Sequence, residues 1–165
     1  MNMPLYQAVV TAPGFSLGVR CNEDEVTSID FLEPQPERPP KTPLAKETVR
    51  QLRAYLRNPA HQFTLPLAPF GTHFQRRVWQ QIEAIPSGET RSYGEVADSI
   101  RSAPRAVGGA CGSNPYPLVV PCHRVVATGG GLGGFARERG GFLLDIKRWL
   151  LAHEHASRPG SRAKG

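Results

Sequence analysis

The chain has 165 residues with a formal net charge of +6, and 39% of its residues are hydrophobic, enough to bury a true core in one ordinary domain or two small ones. Its three cysteines, Cys21, Cys111 and Cys122, are spaced as neither a disulfide framework nor a metal knuckle, which points to a reducing, cytoplasmic setting. The first residues lack the basic and apolar regions of a signal peptide, no apolar run is long enough to span a membrane, and Cys21, His61 and His73 are too scattered for zinc. The basic excess suits a polyanion such as nucleic acid, and equally a basic protein with no such partner.

Two β-prone runs, residues 5–11 and 15–20, flank the turn signal Ala12-Pro13-Gly14 and predict a hairpin, with a third strand over 26–32. Residues 34–43 form a proline-rich connector without regular structure. Leu44, Val49, Leu52 and Leu56 predict an amphipathic helix over 44–56 that packs on the sheet, and a short extended piece at 62–66 ends this half.

Thr72 is placed to cap a helix with apolar positions Phe74, Val78, Trp79 and Ile82, stopped by Pro86-Ser87-Gly88. Ser92 and Glu95 form a capping box for the next helix, whose apolar face is Tyr93, Val96, Ala97 and Ile100. Pro104 opens a short helix over 105–111. The pair resembles a helix-turn-helix, although Gly108 and Gly109 alone point first to tight helix packing.

Beyond the rigid bend Asn114-Pro115-Tyr116-Pro117, residues 118–120 predict a short buried strand leading into Cys122-His123. Residues 125–126 continue extended, and Thr128-Gly129-Gly130-Gly131 turns the chain back as a hairpin or wing. A last helix over 143–155 directs Leu143, Ile146, Leu150 and Leu151 inward and Asp145, Lys147 and Arg148 outward. The basic tail 158–165 is expected to be disordered. The expected divisions are 1–67, 68–157 and that tail.

Cys122 beside His123 has the parts of an activated nucleophile, because the thiolate reacts and a base must take its proton. On an extended strand adjacent side chains point to opposite faces, so a bridging water or a kink at Pro121 is needed. A carboxylate of the last helix, Glu154, is the candidate to orient the imidazole.

Six segments stand in one order: Phe74-Gln75-Arg76-Arg77-Val78-Trp79, Gly88-Glu89-Thr90-Arg91-Ser92-Tyr93, Arg105-Ala106-Val107-Gly108, Ser113-Asn114-Pro115, Val120-Pro121-Cys122-His123-Arg124-Val125, and Trp149-Leu150-Leu151-Ala152-His153-Glu154. Together they closely resemble the O6-alkylguanine-DNA alkyltransferase family, the single-use methylated-DNA–protein-cysteine methyltransferases. The resemblance covers residues 70–155 strongly and the first 66 by general layout.

It implies an α+β fold: a small N-terminal antiparallel sheet with a helix, in a ribonuclease-H-like layout, and a mainly helical C-terminal winged helix-turn-helix domain. It further implies a monomer without cofactor or metal that acts on double-stranded DNA containing O6-alkylguanine, and on O4-alkylthymine, by flipping the damaged base. The resemblance makes Cys122 the alkyl acceptor and runs a relay from Glu154 through His123 and a water. Tyr93 would donate to the leaving guanine, and Asn114 would pin the DNA-facing helix to the nucleophile's segment.

Arg105 would enter the base stack, with Ala106 and Gly108 on the same DNA-facing helix. Cys111, Pro117, Val125 through its carbonyl, Phe135 and the Ala136 amide would line the pocket, Cys111 as a small apolar wall and not a second nucleophile. Phe135 stands where many relatives carry tyrosine, and residues 136–142 make a longer loop than the common pattern. A lesion sensor that binds alkylated bases without transfer is the alternative, against which Cys122 counts; a turnover hydrolase would need a thioester, and an alkyl thioether is inert.

Overall fold

Pro13-Gly14 reverses the chain between β1 (Ala8–Ala12) and β2 (Phe15–Cys21), with Gly14 at φ 84°, a conformation glycine adopts without a Cβ penalty. The computed structural model describes residues 6–128, 131 and 141–157. β3 (Val26–Leu32) completes an antiparallel meander in the order β1-β2-β3, in a register that sets Val10 against Leu17 and Val19 against Ile29. A register shift between Arg20 and Cys21 bends the end of β2.

Helix α1 (Pro43–Arg57) is capped by the Thr42 hydroxyl, with Pro43 at its first position where no N–H is needed. It lies on β1 and β2 and buries Val49, Leu52 and Tyr55 against the sheet residues Phe15, Leu17 and Val19 of the same core. Leu44 and Leu56 are only half-buried, while Thr48 and Gln51 are buried, their polar groups bonded to the Leu44 carbonyl and to Thr64. Residues 62–66 form no strand of their own; just beyond them Leu67 pairs with Val26 in a parallel bridge, through the Pro66 carbonyl and the Ala68 N–H. The proline-rich connector is not wholly irregular: Arg38 pairs with Val9 through reciprocal backbone bonds of 3.0 and 3.1 Å.

The chain divides into two compact units, Met1–Pro69 and Phe70–Gly165. In the second, α2 (His73–Glu83) starts from a capping box between Thr72 and Gln75 and buries Val78, Trp79 and Ile82, leaving Phe74 half-buried. A two-residue strand, β4 (Arg91–Ser92), leads into α3 (Tyr93–Ser99), where Ser92 and Glu95 form the expected capping box. α4 (Pro104–Gly112) packs against α3 and α2, and the Trp79 indole N–H donates to the Ala110 carbonyl at 2.9 Å.

β5 (Val125–Val126), in the stretch read as extended, pairs in parallel with β4, a pairing that the sequence reading missed because nothing local marks Arg91-Ser92 as its partner. Ala127 N–H reaches the Gly131 carbonyl at 2.8 Å across the expected turn, whose residues 129–130 lie outside the described set. Helix α5 (Phe142–Ser157) closes the unit; the tail 158–165 also lies outside that set. The α+β class is as expected, with a three-stranded sheet and helix in one unit and a mainly helical second unit. No described helix is long and apolar enough to cross a membrane.

Candidate active site

Residues 118–120 do not form the expected strand. Pro115 and Pro117 have no N–H to give a ladder, and the chain instead folds through tight turns: Val120 N–H bonds the Tyr116 carbonyl, and Cys122 N–H the Val120 carbonyl, both at 2.8 Å. Leu118 is held at φ 78°, a conformation disfavoured for a side chain with a Cβ, while its side chain is buried. Cys122–Arg124 then form one 3-10 turn, not a strand. At three residues per turn, consecutive side chains diverge by about a third of a circle instead of half, so Cys122 and His123 need not face opposite ways.

That turn directs His123 and Arg124 onto α5. His123 Nε2 lies 2.6 Å from Glu154 Oε2, and Arg124 grips the same carboxylate through Nε at 2.8 Å and Nη2 at 2.9 Å. The third Arg124 nitrogen, Nη1, donates to the Ile85 carbonyl at 2.7 Å, and all three side chains are buried. Burial alone would raise the Glu154 carboxyl, but the bonds and charges of His123 and Arg124 hold it far below the carboxylate range. Burial lowers the His123 imidazole, more than Glu154 raises it. At neutral pH the pair is therefore carboxylate and neutral imidazole; the ring proton sits on Nε2 facing Glu154, which leaves Nδ1 as the acceptor.

Cys122 is 4% exposed. Its sulfur accepts from Asn114 Nδ2 at 3.5 Å and interacts with the Cys111 side chain. The Cys111 contact and burial raise the Cys122 thiol well above its ordinary value, against the smaller pull of Asn114 and Lys147, so the resting nucleophile is protonated. Asn114 also donates to the Val120 carbonyl at 2.9 Å and accepts from the Tyr116 N–H at 2.8 Å, which ties the end of α4 to the segment that carries the nucleophile.

Lys147 corrects the sequence reading. It is fully buried, not outward: Nζ donates to the Val125 carbonyl at 2.8 Å and lies 5.7 Å from the Tyr93 ring centroid. Burial lowers its pKa to about 8, opposed by the charges of Cys111 and Cys122. A signal existed: Lys147 precedes Glu154 by two helical turns and so shares its face. On the same helix Leu144, Ile146 and Leu150 are buried, whereas Leu143 and Leu151 are half-buried. Arg124 was the other residue missed, because its burial depends on a partner far along the chain.

Arg105 is exposed in the first turn of α4 and makes no ion pair among the described residues; Ala106 and Gly108 are half-buried. Among the described residues a Cβ added at Gly108 or Gly109 would meet nothing within 4 Å, so no described neighbour requires these glycines for helix packing, and the face they leave is open to an approaching surface. Pro117 is half-buried and bridges to Val120, and the Val125 carbonyl already accepts from Lys147. Phe135 and Ala136 lie outside the described residues, with most of the long loop. Among the described residues no group of three His, Cys, Asp or Glu is arranged to hold a metal.

A buried thiol, a carboxylate-oriented imidazole and a glycine-faced helix share one small unit, the parts that a cysteine-dependent group-transfer protein requires. The model of the 6-O-methylguanine DNA methyltransferase DNA-binding domain matches residues 73–156. The methylated-DNA–protein-cysteine methyltransferase of Methanosarcina mazei is 38% identical over 160 residues, covering 91% of this chain and 97% of that protein. Its Methanosarcina acetivorans counterpart is 47% identical over 111 residues, covering 66% and 68%. The crystal structure of Mycobacterium tuberculosis OGT in complex with DNA matches with a TM-score of 0.77 at 37% identity, covering 93% of this chain and 95% of that one. The chain belongs to the methylated-DNA–protein-cysteine methyltransferase family.

Proposed function

We propose that this protein repairs duplex DNA by moving the alkyl group of O6-alkylguanine, and of O4-alkylthymine, irreversibly onto Cys122, once per molecule and as a monomer without cofactor. The observation that carries this reading is the buried Cys122 thiol beside the His123–Glu154 pair in a chain of this family.

The damaged nucleotide leaves the stack, and Arg105 fills the gap, offsetting part of an unstacking cost of a few kcal/mol. Ala106 and Gly108 let the backbone of α4 approach the duplex. A water carries the Cys122 proton to His123 Nδ1, and Glu154 stabilises the imidazolium that results. The sulfur attacks the alkyl carbon, the carbon–O6 bond breaks, and its electron pair stays on guanine. The Tyr93 hydroxyl donates a hydrogen bond to the ring nitrogen where charge develops; water then carries the proton from the His123 imidazolium to the guanine anion, so guanine ends with the proton that the thiol lost.

Asn114 donates to sulfur throughout, and Lys147 supplies positive charge as the thiolate forms. The Val125 carbonyl has a second lone pair for the guanine amine, beyond the one Lys147 occupies. Cys111 and Pro117 complete the pocket wall.

Incubation with methyl-labelled O6-methylguanine duplex tests this. Label is expected on Cys122, capped near stoichiometric, and lost in Cys122→Ala. DNA bound without label on protein would establish the lesion-sensor reading instead, and product far in excess of protein would establish turnover.

A further inference from the structure

The turn between α3 and α4 is closed by a Schellman motif. Ser102 N–H donates to the Ala97 carbonyl at 2.8 Å and Arg101 N–H to the Asp98 carbonyl at 3.2 Å, the two bonds that end a helix on a left-handed residue. That residue is Arg101, at φ 56°. Glycine is the usual occupant of this position, because a Cβ there crowds the carbonyl oxygen that follows. Arg101 carries this strain with no return inside the chain. Its side chain is exposed, makes no hydrogen bond or ion pair among the described residues, and does not pair with the exposed Asp98 carboxylate three residues earlier. Strain kept where glycine would relieve it points to a side chain that serves something outside the fold.

The surroundings of the turn favour an anion. From α2, Arg77 Nη2 donates to the Ile100 carbonyl at 3.3 Å, which satisfies that helix-end carbonyl and brings a second guanidinium to the turn. Past the turn Ala103, Pro104 and Arg105 are exposed in succession, and the open face of Gly108 and Gly109 follows on α4. Arg101 therefore stands at the start of the surface that the repair reading turns toward the duplex. Its pinned backbone fixes the direction in which the side chain leaves the turn, and an unpaired guanidinium so held matches the paired oxygens of a phosphodiester.

We propose that Arg101 anchors a phosphodiester of the duplex beside the lesion, and so sets the position from which α4 and Arg105 approach. This rests on the reading that the substrate is duplex DNA, and it divides the work between two arginines four residues apart. Arg101 holds the backbone and fixes register, whereas Arg105 acts on the base stack. An anchor contributes affinity and salt dependence but nothing to the chemical step. It also sets stability against binding at one position, since glycine there would relax the turn and abolish the contact.

The test compares the full chain with Arg101→Gly and Arg101→Lys. Thermal unfolding of Arg101→Gly should show a midpoint no lower than wild type, because the strain is gone and no internal bond is lost. Binding to an undamaged duplex between about 50 and 200 mM salt should be weaker in Arg101→Gly, with the slope of log affinity against log salt shallower by about 0.9, which is about 3.5-fold less loss of affinity across that range. Arg101→Lys keeps the charge and should stay near the wild-type slope. Methyl transfer at saturating O6-methylguanine duplex, and benzyl transfer from free O6-benzylguanine, should be unchanged in both variants. Wild-type affinity and slope in Arg101→Gly, a lowered midpoint, or slower transfer from free O6-benzylguanine each overturns the proposal. A wild-type protein that binds no duplex overturns the repair reading with it, whereas one that binds and takes label while Arg101→Gly behaves identically overturns the anchor alone.

Discussion

At the scale of single residues the site rests on a buried charge cluster in which Arg124 is the fixed cation. It makes three hydrogen bonds, two to Glu154 and one to the Ile85 carbonyl, in the planar fork that only a guanidinium offers. Truncation to alanine leaves Glu154 buried with no permanent positive partner, so Arg124→Ala is expected to destabilise the protein by about 3–5 kcal/mol in urea unfolding. Arg124→Lys restores charge but not the fork and should fall between; a lysine variant equal to wild type would show that charge alone matters. His123 gives the cluster a pH signature. Its folded pKa lies below the ordinary 6.5, so its stabilisation is complete above 6.5 and is lost as the pH falls from there toward the folded value. Glu154, lowered from 4.5, adds a further loss below that value. Thermal unfolding from pH 7 to pH 5 should therefore show a falling midpoint that His123→Asn flattens, and parallel curves would exclude His123 as the titrating group. The His123–Glu154 pair was expected from the sequence, but Lys147 read as an outward charge and the grip of Arg124 was not read at all, because their partners are distant in sequence.

At the scale of elements, the parts that could be read were those whose signals are local. Ser92 and Glu95 cap α3 across four consecutive residues, and Pro43 and Pro104 open α1 and α4 by the same short-range logic. Gly71 and Thr72 make this testable at α2. Gly71 sits at φ 93°, and a Cβ there would lie 2.7 Å from Trp79 Cη2 and 2.8 Å from Gln75 Oε1. Gly71→Ala thus meets both backbone strain and the buried indole and should cost about 1–3 kcal/mol. Thr72→Ala loses only the cap bond at 3.1 Å, about 1 kcal/mol. Equilibrium unfolding of the two variants is expected in that order, and the reverse order would mean that Trp79 yields easily. What could not be read was set by tertiary closure. The pairing of β4 with β5 joins Val125-Val126 to a distant dipeptide with no strand signal of its own, and the Cys122 turn replaces a strand because prolines and Leu118 remove the ladder. The open face of α4 belongs here too, since glycines favour close approach equally to a helix or to a ligand and only the empty space around them decides.

At the scale of the whole molecule, charge and chemistry fall in the same unit. Residues 1–69 carry seven Lys and Arg against seven Asp and Glu, whereas residues 70–165 carry thirteen against seven, so the entire excess of +6 lies with the candidate site. That places the attraction for a polyanion in the unit of the proposed acceptor Cys122, and binding to duplex DNA should weaken steeply as salt rises. Arg105 can be separated from this general attraction. A guanidinium that fills a gap in the base stack supports extrusion of the lesion, whereas one that pairs with a phosphate only adds affinity. Arg105→Ala should then slow methyl transfer from duplex DNA far more than benzyl transfer from free O6-benzylguanine, which needs no flipping, and should leave the slope of log affinity against log salt nearly unchanged. A phosphate contact gives the other pattern: the slope becomes shallower by about 0.9 for the one lost contact, and the rate at saturating DNA is preserved. Measuring transfer on both substrates and binding at several salt concentrations with a single variant therefore assigns the residue. A shallower slope with an unchanged saturated rate would remove Arg105 from the stack and return it to the basic surface around it.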